Sequence, residues 1–314
     1  SSDAIVIGGG HNGLVAAALL ARSGRKVQVL EASDTLGGAA RTEEFAPGFK
    51  VSAVAHLLNQ LHPEVAKTLR LEDHGLSFAA GIAPTVTLSA GAAPALLHGG
   101  YGVRLDGVSP EEAAAWQALR ALLLRQTGIL KRFLTGPPPE LGKLRRKDLM
   151  SFGGAALALT RLGRKEMREF MRMVLMNVAD AADEHLTDDR LKGLLAFDAT
   201  VGHHLGPRSP TSLLGLYYRL AGEAGGTSGA QMLPTGGMGA VADALTRAAE
   251  AAGVAVRTGA PVGRIKVENG RAIAVELETG ETLEAPVIVS ALNPKTTLLD
   301  MVDIRELDIG FVRA

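Results

Sequence analysis

The segment Ala4–Glu31 constrains the fold more than any other stretch of the chain. Ala4-Ile5-Val6-Ile7 is an uninterrupted apolar run, as a strand buried on both faces of a parallel sheet requires. Gly8-Gly9-Gly10-His11-Asn12-Gly13 follows at once. Leu14–Arg22, rich in alanine and leucine, predicts a helix stopped by Ser23-Gly24-Arg25. Lys26–Glu31 predicts a second strand. Strand, glycine turn, helix and strand make one βαβ unit. The expected fold class is therefore α/β, with a Rossmann-type domain.

Gly8-x-Gly10-x-x-Gly13 is the dinucleotide fingerprint, and it lies between a predicted strand and a predicted helix as it must. Each glycine has its own reason. Gly8 permits the tight turn out of the strand, Gly10 lets backbone approach a pyrophosphate, and Gly13 lets the helix pack close to the sheet. The helix N-terminus then offers free N–H groups and a positive dipole end to phosphate. Glu31, 18 residues after Gly13, ends the second strand where a carboxylate would accept a bond from a ribose 2′-OH. An acid there disfavours a 2′-phosphate and hence NADP. The fingerprint leaves NAD and FAD both open.

The middle of the chain has another character. Ser109 as N-cap, Pro110 at the first helical position and Glu111 and Glu112 in the first turn predict a helix reaching about Leu134. Gly136-Pro137-Pro138-Pro139 ends that pattern. Helical patterns resume over Phe152–Ala179 and Asp188–Phe197. The α/β pattern returns with Gly236-Gly237-Met238-Gly239, a helix over Ala240–Ala252 and a strand at Val254–Arg257. Arg264–Glu268, Arg271–Leu277 and Thr282–Leu283 then read as a three-stranded antiparallel meander. Asn269-Gly270 and Thr279-Gly280 form its turns. Pro286–Ala291 reads as a last buried strand. The expected organisation is a discontinuous cofactor-binding domain, 1–80 and 230–300, interrupted by a mainly helical substrate domain, 81–229.

Composition removes several classes. Lys plus Arg is 33 and Asp plus Glu is 33, so no basic excess argues for nucleic acid. Cysteine is absent, which excludes disulfide scaffolds, thiolate metal sites and cysteine nucleophiles. The apolar run Leu14–Ala21 is far shorter than the ~20 residues of a spanning helix. No charged leader precedes the first apolar run, so no signal peptide is expected. A cytoplasmic protein is expected, with peripheral membrane contact and homo-oligomerisation left open. No Gly-x-Ser-x-Gly elbow or P-loop lysine supports a serine hydrolase or an NTPase.

Leu36-Gly37-Gly38-Ala39-Ala40-Arg41-Thr42 resembles the paired-glycine motif of the flavoprotein superfamily that holds amine oxidases and phytoene desaturases. The resemblance extends to Leu233–Gly239, to the meander and to Glu284–Pro294. Gly8–Gly13 with Thr42-Glu43-Glu44 and Pro47–Lys50 is similar to the branch named for a pyridine nucleotide-disulfide oxidoreductase domain, although a chain without cysteine has no redox disulfide. The resemblance implies FAD as cofactor, with contacts from Gly8, Gly10, His11, Asn12, Gly13, Glu31, Gly37, Gly38, Arg41 and Val262. It implies hydride transfer from an apolar small molecule to flavin, a polyene or isoprenoid among the candidates. An amine is the rival substrate, and a flavin-binding protein without turnover is the rival from another class. Many relatives carry Arg directly after the glycine pair, where this chain has Ala39, so Arg41 is expected to substitute. Such proteins usually continue well past the point where this chain stops. The chain is accordingly expected to be an N-terminal portion of that architecture, without its flavin lid.

The remaining candidates have plainer readings beside them. His56 could lie near a flavin ring or be a structural hydrogen-bonding histidine. His203-His204 lacks a third ligand at metal spacing, so no metal site is expected. Asp180, Asp183 and Glu184 read as caps or a solvated helix end, and Arg145-Arg146-Lys147 as a solvated basic face. Met167, Met171, Met173 and Met176 read first as helical core and second as a substrate channel. No residue is assigned as catalytic acid or base.

Overall fold

The computed structural model describes residues 2–134 and 163–313 together with Gly153, Leu157, Thr160 and Arg161. The proline run 136–139, the basic cluster 145–147 and most of 152–162 lie outside the described residues. In chain order the elements are β1 Ala4–Ile7, α1 His11–Arg22, β2 Val27–Leu30, β3 Thr42–Ala46, β4 Phe49–Ser52 and α2 Pro63–Leu69. There follow β5 Thr85–Ser89, β6 Ala92–His98, β7 Arg104–Asp106 and α3 Pro110–Leu134. Next come α4 Gly163–Leu175, α5 Val178–His185, α6 Asp189–Thr200, α7 Leu213–Ala221, β8 Glu223–Ala224 and β9 Thr227–Ser228. The last are α8 Gly239–Ala251, β10 Ala255–Arg257, β11 Val262–Glu268, β12 Arg271–Leu277, β13 Thr282–Glu284, β14 Val287–Ser290 and α9 Ile309–Arg313. No helix among the described residues is long and apolar enough to cross a membrane.

The chain divides into two compact units. The first comprises Ser1–Leu58, Glu64–Ala79 and Leu233–Ala314, and the second Asn59–Pro63 and Ala80–Met232. The first is built on a parallel sheet in the order β10-β2-β1-β14. Ile5 stands beside Gln28 on one side and Ile288 on the other. β1 is buried along its whole length, which explains its unbroken apolar sequence. α1 packs against β1, β2 and α8. The meander β11-β12-β13 closes a second apolar layer, in which Ile5, Ile7 and Leu30 meet Val262, Ile265, Val275 and Leu277. Asn269 and Gly270 both have positive φ, 52° and 72°, as a two-residue hairpin turn of this kind demands.

The second unit is a helical core with a small sheet. Trp116, Leu119 and Leu123 of α3 are buried with Met173, Val178, Leu191, Leu195, Leu213, Leu216 and Tyr217. The Trp116 ring N–H donates to the Gly102 carbonyl at 3.2 Å, so its burial leaves no unmet donor. Two sequence expectations change here. The helical pattern that runs on to Ala179 is broken after Leu175, because Asn177 caps a new helix by accepting from the Asp180 N–H at 2.8 Å. The sheet β5-β6-β7 interrupts what reads as a helical region. In β5 the buried residue is Thr87 while Val86 and Leu88 face outward, so the alternation is inverted relative to an ordinary half-buried strand. Of the methionines, Met173 is buried and Met171 is exposed, so the four do not form one continuous stripe.

Candidate functional site

The glycine-rich turn after β1 folds against the second glycine-rich turn. Gly8 has φ +97°, which an L side chain rarely adopts, and its N–H bonds to the Leu30 carbonyl of β2. The Gly37 N–H donates to the Gly9 carbonyl at 2.9 Å, and Gly10 and Gly37 form a parallel bridge. A Cβ on Gly10 would lie 3.9 Å from the Gly38 Cα, and one on Gly38 would lie 3.2 Å from the Gly10 Cα. Two backbones thus face each other with no side chain between them. Gly13 backs onto the first turn, where a Cβ would come to 2.0 Å from the Gly8 carbonyl oxygen.

α1 opens directly from this turn, with Gly10 extended at φ −72°, ψ 172° and no side chain capping the helix. Its first turn carries no acidic residue. Among the described residues nothing accepts from the N–H groups of His11, Asn12 or Gly13. These donors and the helix dipole make the turn receptive to an anion. Glu31, just past β2, stands beside it. One carboxylate oxygen accepts from the Gly9 N–H at 2.6 Å and the other from the Ser33 N–H at 2.9 Å. Each oxygen keeps a further lone pair for a hydroxyl.

The other expected residues are placed less uniformly. Arg41 follows the short 3₁₀ turn Gly38–Ala40, and its guanidinium pairs with the exposed Glu43 carboxylate. Val262 is buried in the core with Ile7, Leu30 and Leu277. Any contact it makes with a ligand must therefore come from its backbone. His56 is exposed in the first unit. His203 and His204 are exposed.

Sequence reasoning passed over three residues here. A Cβ on Gly9 would come to 2.3 Å from the Leu36 side chain, which would have to move. Three consecutive glycines were the available signal. Thr42 and Ser52 are cross-strand partners in the β3–β4 hairpin, and both hydroxyls bind the start of α8. Contacts across nearly 200 residues leave no local trace.

The second unit holds two polar groupings. Glu169, Glu184 and His185 bring ligand atoms within 4.8 Å of one another, but Arg172 donates to Glu169 at 2.6 Å and to Glu184 at 2.7 and 2.8 Å. The guanidinium already supplies the positive charge a metal would bring. Deeper in the unit, Arg219 is 7% exposed, and one of its nitrogens donates to the Gly229 carbonyl at 3.1 Å. Among the described residues its other two nitrogens have no hydrogen-bond partner, and the Tyr101 hydroxyl is buried beside the Asp198 carboxyl. The guanidinium carbon lies 5.9 Å from the Tyr101 ring centre. Burial pushes the neighbouring Asp198 carboxyl up from its ordinary pKa, and the Arg219 charge counteracts only part of this.

Residues 13–303 match the family model described as flavin-containing amine oxidoreductase. The chain belongs to that family. FAD is the cofactor that membership carries. The pyridine nucleotide-disulfide oxidoreductase domain-containing protein 2 of Mus musculus is 31% identical over 99% of this chain and 56% of its own length. The hydroxyneurosporene desaturase of Rhodobacter capsulatus is 30% identical over 90% of this chain and 54% of its own. The chain thus spans just over half the length of these relatives. An oxidoreductase from Methanosarcina mazei superposes with a TM-score of 0.59 at 19% identity, over 97% of this chain and 62% of that one. That likeness establishes the fold, the α/β Rossmann-type architecture read from Ala4–Glu31.

Proposed function

We propose that the first unit binds the ADP portion of FAD and that the protein is an oxidoreductase acting on an apolar small molecule. One observation carries the reading: the side-chain-free backbones of Gly10 and Gly38 meet at the uncapped start of α1, beside Glu31. The residues fit the cofactor. Gly8, Gly10, Gly37 and Gly38 supply backbone that a diphosphate can approach closely. The N–H groups of His11, Asn12 and Gly13 direct positive dipole ends at its charge. Glu31 accepts ribose hydroxyl bonds while holding Gly9 in place, and Arg41 supplies a positive charge at the exposed edge. Val262, fixed in the apolar core, offers backbone to the adenine end.

Bound FAD would supply the acceptor for a hydride from a substrate C–H bond. The chain's own residues bind and orient it. We assign the cofactor-binding role to residues 1–80 and 230–300 and the substrate-facing role to residues 81–229. The desaturase among the relatives supports an apolar, polyene or isoprenoid, substrate; the family description supports an amine as the alternative. Extraction of the bound nucleotide from the purified protein and its identification by mass tests the cofactor. Anaerobic addition of a polyene and of a primary amine tests the substrate. Bleaching of the flavin band by the polyene is expected. Bleaching by the amine alone would favour the alternative, and a flavoprotein bleached by neither would fit binding without turnover.

A further inference from the structure

The motif Leu233–Gly239 resembles a second glycine-rich, nucleotide-type turn, yet the structure uses it differently from Gly8–Gly13. The N-terminal donors of α8 are consumed inside the protein. The Met238 N–H donates to the Ser52 hydroxyl at 3.1 Å and the Gly239 N–H to the Thr42 hydroxyl at 2.9 Å. The Ala240 and Val241 N–H groups bond back to the Gly237 and Met238 carbonyls. All four donors that a helix start leaves open are accounted for, so α8 has none to give a phosphate. The glycines make room for this arrangement. A Cβ on Gly239 would come to 2.6 Å from the Thr42 hydroxyl oxygen, and one on Gly237 to 3.1 Å from both hydroxyl oxygens.

Thr42 and Ser52 face each other across β3–β4, directly after Arg41 and the 3₁₀ turn that carries Gly38. The same helix start supports the second glycine turn, because a Cβ on Gly37 would lie 2.9 Å from the Ala242 Cβ. Gly37 in turn bonds Gly9. The chain of contacts runs from two hydroxyls through α8 to Gly37, and from there to the packed backbones of Gly38 and Gly10.

We propose that Thr42 and Ser52 are positioning residues that hold the Gly37–Gly38 turn against Gly10 by capping α8, an inference that rests on the placement of FAD argued above. Neither hydroxyl needs to touch the cofactor. Removing the caps lets the start of α8 fray and the Gly37–Gly38 turn drift from Gly10.

The test titrates FAD into the apoprotein, following quenching of flavin fluorescence and the visible circular dichroism of the bound flavin. Thr42→Val keeps the shape but cannot accept, Thr42→Ser keeps the acceptor, and Ser52→Ala removes the second cap without adding atoms. Asn177→Ala removes an equivalent cap in the other unit and controls for general loss of stability. Thr42→Val and Ser52→Ala are expected to weaken FAD binding by about five- to thirtyfold, the affinity equivalent of a lost cap. Thr42→Ser should restore affinity and the dichroic spectrum, and Asn177→Ala should lower the melting temperature alone. Wild-type affinity in Thr42→Val and Ser52→Ala, or an equal loss in Asn177→Ala, overturns the proposal. Gly10→Val is included to separate the two levels. If it abolishes binding while the cap variants bind normally, only the positioning role fails; if it binds FAD normally, the placement of the cofactor fails and this role with it.

Discussion

The Gly9 N–H donates to the Glu31 carboxylate at 2.6 Å, joining the turn after β1 to the end of β2. Glu31 is therefore part of the turn's own construction as well as a ribose acceptor. Because its second oxygen receives the Ser33 N–H, the side chain is fixed in one orientation before any ligand arrives. Replacing it with alanine removes a charge-assisted acceptor from two backbone donors at once. Glu31→Ala is expected to cost roughly 1.5–3 kcal/mol in FAD binding, about ten- to a hundredfold in Kd. Glu31→Gln keeps one acceptor oxygen and should fall between. Titration of FAD into each variant measures this, and wild-type affinity in Glu31→Ala would rule out the assigned role.

Gly10 and Gly13 make a contrast that separates folding from binding. An alanine at Gly13 would place Cβ 2.0 Å from the Gly8 carbonyl oxygen, so helix and turn must move apart. Gly13→Ala is expected to lose about 1–3 kcal/mol of stability. An alanine at Gly10 meets nothing closer than 3.9 Å and the backbone there has an ordinary negative φ. Gly10→Ala should melt close to the wild type yet bind FAD poorly, because its methyl group covers backbone that a diphosphate would approach. Melting curves with and without FAD check both: the Gly10 variant should lose the shift that FAD confers.

Much of the first unit was legible because its signals are local. Ala4–Ile7, the glycines and Glu31 lie within one βαβ unit, and Asn269-Gly270 announces its hairpin within two residues. What the sequence hides is contact between distant segments and inverted patterning. Ser52 shows no cap signature, since the helix it serves begins at Gly239. β5 hides its strand because Thr87 points inward and Val86 and Leu88 outward. The end of α4 was missed because apolar periodicity runs on from Met173 into Val178, and only the Asn177 cap marks the break. Arg41 pairs at the surface with Glu43, two residues on, a contact no motif announces.

Glu112 predicts acid sensitivity in the second unit. Its carboxylate accepts the Thr187 N–H at 2.8 Å, the Thr187 hydroxyl at 2.7 Å and the Asp188 N–H at 2.9 Å. Burial alone would raise its pKa, but the bonds from Thr187 and Asp188 outweigh burial and hold it below the ordinary glutamate value. A depressed folded pKa means stability that is present above the unfolded value, about 4.3, and lost as pH falls through the folded one. Glu112→Gln is expected to cost about 1–3 kcal/mol at pH 7. Its urea midpoint should also change less than the wild type's between about pH 5 and pH 3.

Asp198 predicts the opposite slope. Its carboxyl is buried, and burial raises its pKa above the ordinary aspartate value, with Arg219 opposing the shift. A raised folded pKa means that the unfolded chain releases this proton first. Stability contributed by the protonated group is then complete below the unfolded pKa, about 3.9, and declines as pH rises through the folded value. Asparagine has the same shape and no charge to desolvate, so Asp198→Asn should match or exceed the wild type in stability at pH 7. It should also abolish this part of the pH slope. Arg219→Met acts in the other direction, because it strips the buried carboxylate of its positive neighbour and the Gly229 carbonyl of a donor. That change is expected to destabilise the protein at pH 7, because the buried carboxyl then lacks the charge that opposes its desolvation. Most of the loss should be recovered in the double variant with Asp198→Asn, where no carboxylate remains to be stranded. Chemical unfolding of the four proteins at pH 5 and pH 8 closes the cycle. If the double variant is no more stable than Arg219→Met alone, then Asp198 and Arg219 are not coupled, and the pH slope of this unit has another source.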